Sequence, residues 1–274
     1  MPGLGFHSAT RIMIIMRLLL AMLIATLLLG GCSGNKAPVS PADAFANRSA
    51  EQIFQGGEQA LVKKQYQKAI QHFEALDILY PFGVHDEQAQ LDLIFAYYQH
   101  TDYAQAAVAA SRFIRLYPRS QHVDYAYYMR GMANFNQDRG VFQRYVETDL
   151  AKRDLGTAKQ AYRDFKDFIH RYPNSAYAAD ARERMIYLRN LMARHELLVA
   201  RFYYRREAYV AAVNRCLYLI EHYQQAPEIV KALELLVLSY QELELPGLAQ
   251  QFMDVLAYNY PDSQEYKQLL EKFS

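Results

Sequence analysis

The sequence predicts an all-α fold built as a repeat array rather than around one closed core. One pattern occurs five times: an alanine, a core residue four positions later, and a tyrosine eleven positions after the alanine. The copies begin at Ala69, Ala106, Ala161, Ala212 and Ala249. A fixed period of this kind is typical of solenoids. The composition agrees, since the 274 residues include only 12 Gly and 9 Pro and are 52% hydrophobic, as expected of a folded helical protein.

Each copy describes one packing helix and its end. A small alanine beside a larger residue one turn later lets a neighbouring helix approach closely. In four copies the tyrosine is followed by proline, which cannot continue a helix and disfavours helical geometry in the preceding residue. The fourth copy has Gln224 instead, so a less sharply defined helix end is expected there. Ser120, Ser175 and Ser263 are candidate N-caps of the following helices.

The register identifies the kind of repeat. If Pro81 is position 32 of a 34-residue tetratricopeptide unit, Gly57 falls at position 8, Ala69 at position 20 and Phe73 at position 24. In that repeat, positions 8 and 20 prefer small residues and position 24 prefers an aromatic residue. The same count from Pro118 places Tyr97 at position 11, which is a core position. The expected fold is therefore a tetratricopeptide-like α-solenoid of about five helix pairs.

Two of the intervals between copies are long. The repeated alanines are separated by 37, 55, 51 and 37 residues. The first surplus falls in residues 138–156, a polar segment between two glycines, which predicts a loop insertion with one helical turn. The second falls in residues 177–208, which contain no Pro or Gly and carry helically spaced apolar residues. This pattern predicts one long helix between repeats three and four, with an N-terminal half (50–176) and a C-terminal half (177–274) on either side.

The N-terminus has the features of an export signal. Arg11 and Arg17 precede an apolar run that is short for a membrane span and ends at Leu29-Gly30-Gly31-Cys32. This tetrapeptide resembles a bacterial lipobox, which predicts removal of residues 1–31 and acylation of Cys32. The alternative is an ordinary cleaved signal with an incidental cysteine. Residues 32–49, rich in Ser, Pro, Ala and Asn, are predicted to be a flexible tether.

The sequence does not predict an enzyme or a metal site. No glycine-rich phosphate loop is present, the eight His are scattered, and His195-Glu196 lacks the second His of a zinc-protease helix. A net charge of +1 gives no reason to expect nucleic acid as a partner. Cys216 lies at a packing position, which predicts a buried free thiol. No cofactor is expected beyond covalent lipid on Cys32.

Two surfaces remain as candidates for binding. The first helices of tetratricopeptide pairs line the concave side of the array, and here they carry polar and aromatic residues that suit an extended peptide: Asp92, Tyr97, Tyr98, Tyr125, Tyr127, Tyr128, Arg130 and Asn134. The alternative is that most of these tyrosines are half-buried packing residues, as is expected of Tyr97 at its core position. Between residues 182 and 207, seven Arg stand against three Glu. Arg194, Arg201 and Arg205 share one helix face, which favours docking to an acidic protein surface, although a merely solvated face remains open.

Several motifs together resemble the BamD family of outer-membrane assembly lipoproteins, also called the ComL competence lipoprotein family. After the lipobox come, in order, Phe73-Glu-Ala-Leu-Asp77, Tyr80-Pro-Phe-Gly83, Gln90-Leu-Asp-Leu-Ile94, Ala96-Tyr-Tyr98, Tyr128-Met-Arg-Gly131, Arg153-Asp154, Tyr172-Pro-Asn-Ser175 and Val213-Asn-Arg215. Tyr-Pro-Phe-Gly followed by Gln-Leu-Asp-Leu-Ile is far more specific than the bare repeat.

The resemblance implies a non-catalytic scaffold of the β-barrel assembly machinery, lipid-anchored at the periplasmic face of the outer membrane. Its N-terminal half would receive unfolded outer-membrane proteins at Phe82, Asp92, Tyr98 and Tyr128. Its C-terminal half would dock the central BamA-like barrel subunit, with Arg206 the leading residue beside Arg194, Arg201 and Arg205, and accessory lipoproteins would also bind. The alternative function is a periplasmic repeat lipoprotein that serves peptidoglycan association, competence or pilus biogenesis.

Overall fold

A computed structural model describes residues 41–137, 150–152 and 154–273, and within these ranges it contains twelve α-helices and no strand. The helices are α1 (Pro41–Phe45), α2 (Ala50–Val62), α3 (Tyr66–Leu79), α4 (Asp86–Gln99), α5 (Tyr103–Leu116), α6 (Val123–Gln137), α7 (Gly156–Arg171), α8 (Ala178–Arg205), α9 (Tyr209–His222), α10 (Ile229–Glu242), α11 (Pro246–Asn259) and α12 (Gln264–Phe273). Residues 47–274 form one compact unit that contains α2 to α12, and α1 belongs to a separate unit, residues 1–46.

The unit from residue 47 onward is a stack of five helix pairs, which confirms the tetratricopeptide-like solenoid. The pairs are α2/α3, α4/α5, α6/α7, α8/α9 and α10/α11, and each helix packs on the next one along the chain. The last helix, α12, packs on α10 and α11. The predicted long helix is α8, with 28 residues, and it also serves as the first helix of the fourth pair. First helices touch each other between pairs two and three and between pairs four and five.

The repeated pattern forms the core. The alanine of every copy is fully buried, with 0% of its surface exposed. The tyrosine of every copy caps the C-terminus of its helix, with an extended φ between −138° and −124° and its N–H bonded to the carbonyl four residues earlier. Tyr223 has this geometry although Gln224 follows it, so the expectation of a less defined end for α9 is wrong. The tertiary packing of the cap makes the proline unnecessary.

The turns within four of the pairs share one strained conformation. A residue other than glycine occupies the left-handed region at each of them: Lys64, Thr101, Glu207 and Glu244, with φ between 56° and 66°. In each turn the next N–H reaches back to a carbonyl five residues earlier, as from Ala208 to Tyr203 at 3.0 Å. This is the Schellman arrangement, in which glycine is the usual residue.

The serine caps and the insertion differ in part from expectation. The Ser263 hydroxyl accepts from the Tyr266 N–H at the start of α12, as predicted. Ser120 and Ser175 lie three residues before their helices and accept from the N–H two residues later. A further turn, closed by the bonds from Val123 N–H to Ser120 O and from Ala178 N–H to Ser175 O, separates each serine from its helix. In the insertion, Leu150–Lys152 form one 3-10 turn, while residues 138–149 and 153 lie outside the described residues.

Candidate interaction surfaces

Asp92 in α4 faces the first helix of the preceding pair. Its Oδ1 accepts from Gln88 Nε2 at 3.0 Å, whereas its Oδ2 is buried and reaches no hydrogen-bond donor among the described residues. Burial, in first place, and the neighbouring carboxyl of Glu58 in α2 together raise the pKa of Asp92 to about 7. Two carboxylates can bond only when one of them holds a proton. Asp92 and Glu58 therefore form a carboxyl pair between the first and second repeats, and this proximity favours the protonated form of Asp92.

Phe82 lies on the turn before α4, with 78% of its surface exposed. Its φ is 62°, a conformation that costs a bulky residue about 1 kcal/mol or more. Asp86, itself only 3% exposed, holds the turn: its Oδ2 accepts from the Phe82 N–H at 3.3 Å and from the Tyr117 hydroxyl. The protein thus maintains a strained backbone that presents an aromatic ring to solvent.

The same turn is also fastened to the first repeat. His85 Nε2 lies 2.7 Å from Glu51 Oε2, and the His85 ring stacks on Phe54 with centroids 4.6 Å apart. Both partners are in α2. These contacts fix the position of the Phe82 turn relative to the first helix pair.

Tyr98 and Tyr128 link the first helices of neighbouring pairs. The Tyr98 hydroxyl in α4 accepts from Asn136 Nδ2 in α6 at 2.8 Å. The Tyr128 hydroxyl in α6 donates to Asp180 Oδ2 in α8 at 2.7 Å, and its ring stacks on Tyr177 at 4.7 Å. Both tyrosines are half-buried. Their hydroxyls are already used in bonds between repeats, so these side chains brace the array as well as facing the candidate groove.

Asp180 is the centre of the second of these bridges. It accepts from Arg184 Nη2 at 3.0 Å as well as from Tyr128. The bond from Arg184 is the main reason that the pKa of Asp180 is lowered, so this carboxylate is held in its charged form. Burial and the bond to Asp180 raise the pKa of the Tyr128 hydroxyl, which therefore stays a donor.

Tyr125 completes the aromatic face between the two bridges. It is half-buried, and its ring lies 5.8 Å from that of Tyr177. Burial raises the pKa of its hydroxyl, and Tyr177, Asp92, Tyr128 and Tyr98 add to the effect in that order. Tyr125 therefore lies among the predicted groove residues. The sequence placed it on this face, but Glu58, Tyr177 and Asp180 were missed, because no local pattern shows which polar residues of successive repeats meet.

The second candidate surface, which we call the arginine surface, consists of Arg194, Arg201 and Arg205 in α8 and of Arg206 directly after it. Arg205 and Arg206 are exposed and Arg201 is half-buried. Arg205 and Arg206 form no ion pair with another described residue, and the Arg206 guanidinium lies over the Phe202 ring, 4.7 Å from its centroid. Arg201 faces α10, where it opposes the rise that burial causes in the pKa of Glu234. Cations at a helix C-terminus are favoured by the helix dipole, which stabilises Arg205 and Arg206 although no described carboxylate pairs with them.

The described residues show no group of three or more His, Cys, Asp or Glu side chains that could hold a metal ion. Within the same residues, no helix is both long and apolar enough to span a membrane. Cys216 is buried, as predicted, and burial raises the pKa of its thiol to about 12, which makes the thiol unreactive. Cys32, the predicted acylation site, lies outside the described residues.

Comparison with known proteins points to one family. A family model described as outer membrane lipoprotein (YfiO) matches residues 46–256. The chain is 38% identical over 240 residues to outer membrane protein assembly factor BamD of Vibrio cholerae, covering 88% of this chain and 97% of that protein. It is 35% identical over 242 residues to BamD of Neisseria meningitidis serogroup B, covering 88% and 91%. It is 36% identical over 245 residues to BamD of Xylella fastidiosa strain Temecula1, covering 89% and 82%.

One solved structure is similar only at a distance. The crystal structure of MamA protein aligns with a TM-score of 0.30 and 18% identity, covering 78% of this chain and 96% of that one. A similarity of this size carries no argument about this protein.

Proposed function

The chain belongs to the BamD family of outer-membrane protein assembly factors, and from this premise we propose that it is a lipid-anchored scaffold with a receptor half and a docking half. Family membership establishes a role in outer-membrane protein assembly, an association with the outer membrane, and a function that is not enzymatic. The proposal adds the anchor on Cys32, the periplasmic face, the binding partners and the residues that contact them.

The receptor half comprises residues 50–176 and binds unfolded outer-membrane proteins. The strongest support is the Phe82 turn, because a strained backbone held by buried Asp86 persists only where the surrounding structure enforces it. An exposed ring on a fixed turn offers a hydrophobic anchor for an extended peptide. Asp92 and Tyr98, which lie further along α4, and Tyr128 in α6 are the proposed polar contacts for the same peptide.

The docking half comprises residues 177–274 and binds the periplasmic part of a BamA-like central subunit. Its support is the arginine surface, where Arg205 and Arg206 are exposed and form no ion pair with a described residue. Arginine binds carboxylates bidentately, so an acidic surface is the matching partner. Accessory lipoproteins of the same machinery are further proposed partners.

Site-specific crosslinking in cells separates the two halves. A photo-crosslinking residue at position 82 is expected to capture unfolded outer-membrane proteins, and one at position 205 is expected to capture the barrel subunit. A crosslinker at position 258 is the control, because Tyr258 is 87% exposed and belongs to neither surface. Capture of peptidoglycan fragments or pilus components in place of these partners contradicts the proposal.

Depletion tests the function as a whole. When the protein is removed, the amounts of folded porins in the outer membrane are expected to fall, because their insertion needs the scaffold. Unchanged porin levels under full depletion contradict a role in this process.

A further inference from the structure

The outward face of α7 carries an unbroken row of basic side chains. Lys159, Arg163, Lys166 and His170 are all exposed and lie at positions i, i+4, i+7 and i+11, which places them on one side of the helix. At 1.5 Å per residue the row extends about 16 Å. We refer to these four residues as the α7 basic row.

The other repeats show that packing does not require these cations. The equivalent positions, counted from the repeated alanine, hold Gln67, Gln71, Glu74 and Ile78 in the first repeat; Ala104, Val108, Ser111 and Arg115 in the second; Val210, Asn214, Leu217 and Glu221 in the fourth; and Gly247, Gln251, Asp254 and Tyr258 in the fifth. Only Arg115 among these sixteen is basic. Within one array that repeats the same fold five times, the row is specific to the third pair.

Most of the acidic side chains near the α7 basic row form ion pairs with arginines of the same array. Asp164 is buried and pairs with Arg130. Asp167 pairs with Arg130 and with Arg171. Asp154, just before the helix, is exposed and accepts from the Gly156 N–H. The exposed face of α7 is therefore positively charged in a chain whose formal net charge is only +1.

We infer that the α7 basic row contacts the headgroups of anionic lipids and orients the repeat array against the bilayer to which the chain is anchored. Protein interfaces are centred on aromatic or other large side chains, and α7 exposes no large hydrophobic residue, in contrast to Val210 and Leu217 on α9. Attraction to an anionic bilayer needs only charge and increases about five-fold for each basic residue near the surface. Three permanent cations therefore supply roughly 100-fold, which is weak for a free protein but sufficient for one already held by lipid.

This inference depends on the proposed anchor at Cys32, and one experiment separates the two. The full acylated protein is reconstituted into vesicles of phosphatidylcholine alone or with about one third phosphatidylglycerol. A fluorophore is attached at Asn174→Cys, in the turn directly after α7, and quenching by spin-labelled headgroups is measured. A probe at Gln251→Cys, the α11 equivalent of Arg163, is the positional control. The native Cys216 does not interfere, because it is buried.

The expected result is at least about two-fold more quenching at position 174 in anionic vesicles, with no such gain at position 251. The triple variant Lys159→Gln/Arg163→Gln/Lys166→Gln should lose the gain. Lys63→Gln/Lys64→Gln/Lys68→Gln, which removes three exposed cations elsewhere, should keep it.

Equal quenching in both lipids overturns the inference, as does an equal loss in the control triple variant. Loss of crosslinking to a protein by the α7 variant, with its quenching unaltered, overturns it in favour of an acidic protein partner. Failure of the wild-type protein to float with vesicles contradicts the anchor itself and, with it, the inference. Flotation without any lipid-dependent quenching contradicts the α7 basic row alone.

Discussion

The tyrosine face of the N-terminal half and the arginine surface of the C-terminal half occupy first helices of the same array, yet their side chains are used differently. Tyr98 and Tyr128 bond to residues of the next repeat. Arg205 and Arg206 are exposed and bond to no described carboxylate. One set of side chains therefore stabilises the array, and the other leaves its charge available for a partner.

The two halves can be compared directly at one equivalent pair of tyrosines in each. Tyr98 meets Tyr103 with ring centroids 5.4 Å apart and planes at 63°, and Tyr204 meets Tyr209 with the same distance and angle. The contact between Tyr98 and Tyr103 is therefore a packing unit of the repeat, because it occurs in both halves although different partners are proposed for them. Among the described residues, the Tyr204 hydroxyl has no counterpart of the bond that the Tyr98 hydroxyl accepts from Asn136, and that bond belongs to the N-terminal half.

The largest difference between the surfaces is expected in stability. Replacing Tyr128 by alanine should lower the free energy of unfolding by about 2–3 kcal/mol, because it removes the stack on Tyr177 and the bond to Asp180. Replacing Arg205 by alanine should change it by less than about 0.5 kcal/mol. Urea unfolding measures both values, and Tyr128→Phe isolates the hydroxyl, with an expected loss of about 1 kcal/mol. Equal losses for Tyr128 and Arg205 would remove the distinction between the surfaces.

A smaller effect is expected from the carboxyl pair, and it depends on pH. Because the pKa of Asp92 is raised to about 7 in the folded protein, from about 3.9 in an unfolded chain, the folded state binds more protons between these values. The contribution of Asp92 to stability is therefore fully present below about pH 4 and is lost as the pH rises through 7. After solvent screening, we expect a change of about 1–2 kcal/mol.

Unfolding of Asp92→Asn at pH 5 and pH 8 tests this expectation. The variant should gain stability relative to the wild type as the pH rises, because it has no charge to bury. Glu58→Gln should also reduce the pH dependence, since the neighbouring negative charge is gone. A difference between wild type and Asp92→Asn that is the same at both pH values would show that Asp92 titrates normally.

The smallest effect concerns a feature that both halves share. Glu207→Gly and Thr101→Gly should each increase stability by about 0.5–1 kcal/mol, because glycine adopts the left-handed conformation without the side-chain clash. Thermal unfolding of the two variants compares the halves directly. Gln71→Gly, at an exposed position inside α3, is the control and should be destabilising. A loss of stability in only one of the two turn variants would show that the turns are not energetically equivalent.

The sequence predicts the architecture well because the same helix pattern occurs in every repeat. Five copies of one alanine–tyrosine pattern locate five helix ends, and two long intervals locate the insertion and α8. The missing proline after Tyr223 predicts a less defined helix end, which is wrong, because the packing of the cap rather than residue 224 ends α9. The division at residue 177 and the boundaries of the signal and tether stay predictions.

The candidate sites are harder to predict because they depend on contacts between repeats. Local spacing places Arg194, Arg201 and Arg205 on one face, but does not show that Arg201 is half-buried toward α10. Nor does it pair Asp92 with Glu58, which lies 34 residues earlier in the sequence. Such pairs follow from the rise and rotation of each repeat on the next, which the three-dimensional structure supplies.

Capture of the central barrel subunit by Arg205→Glu/Arg206→Glu is the most direct test of the difference between the surfaces. Affinity purification from detergent-solubilised membranes is compared with Arg115→Glu/Arg119→Glu, which reverses two exposed charges outside α8. We expect at least about a ten-fold loss of capture for the α8 variant, an unchanged melting temperature, and normal capture by the control. Undiminished capture, or an equal loss in the control, would contradict the assignment of α8 as the docking surface.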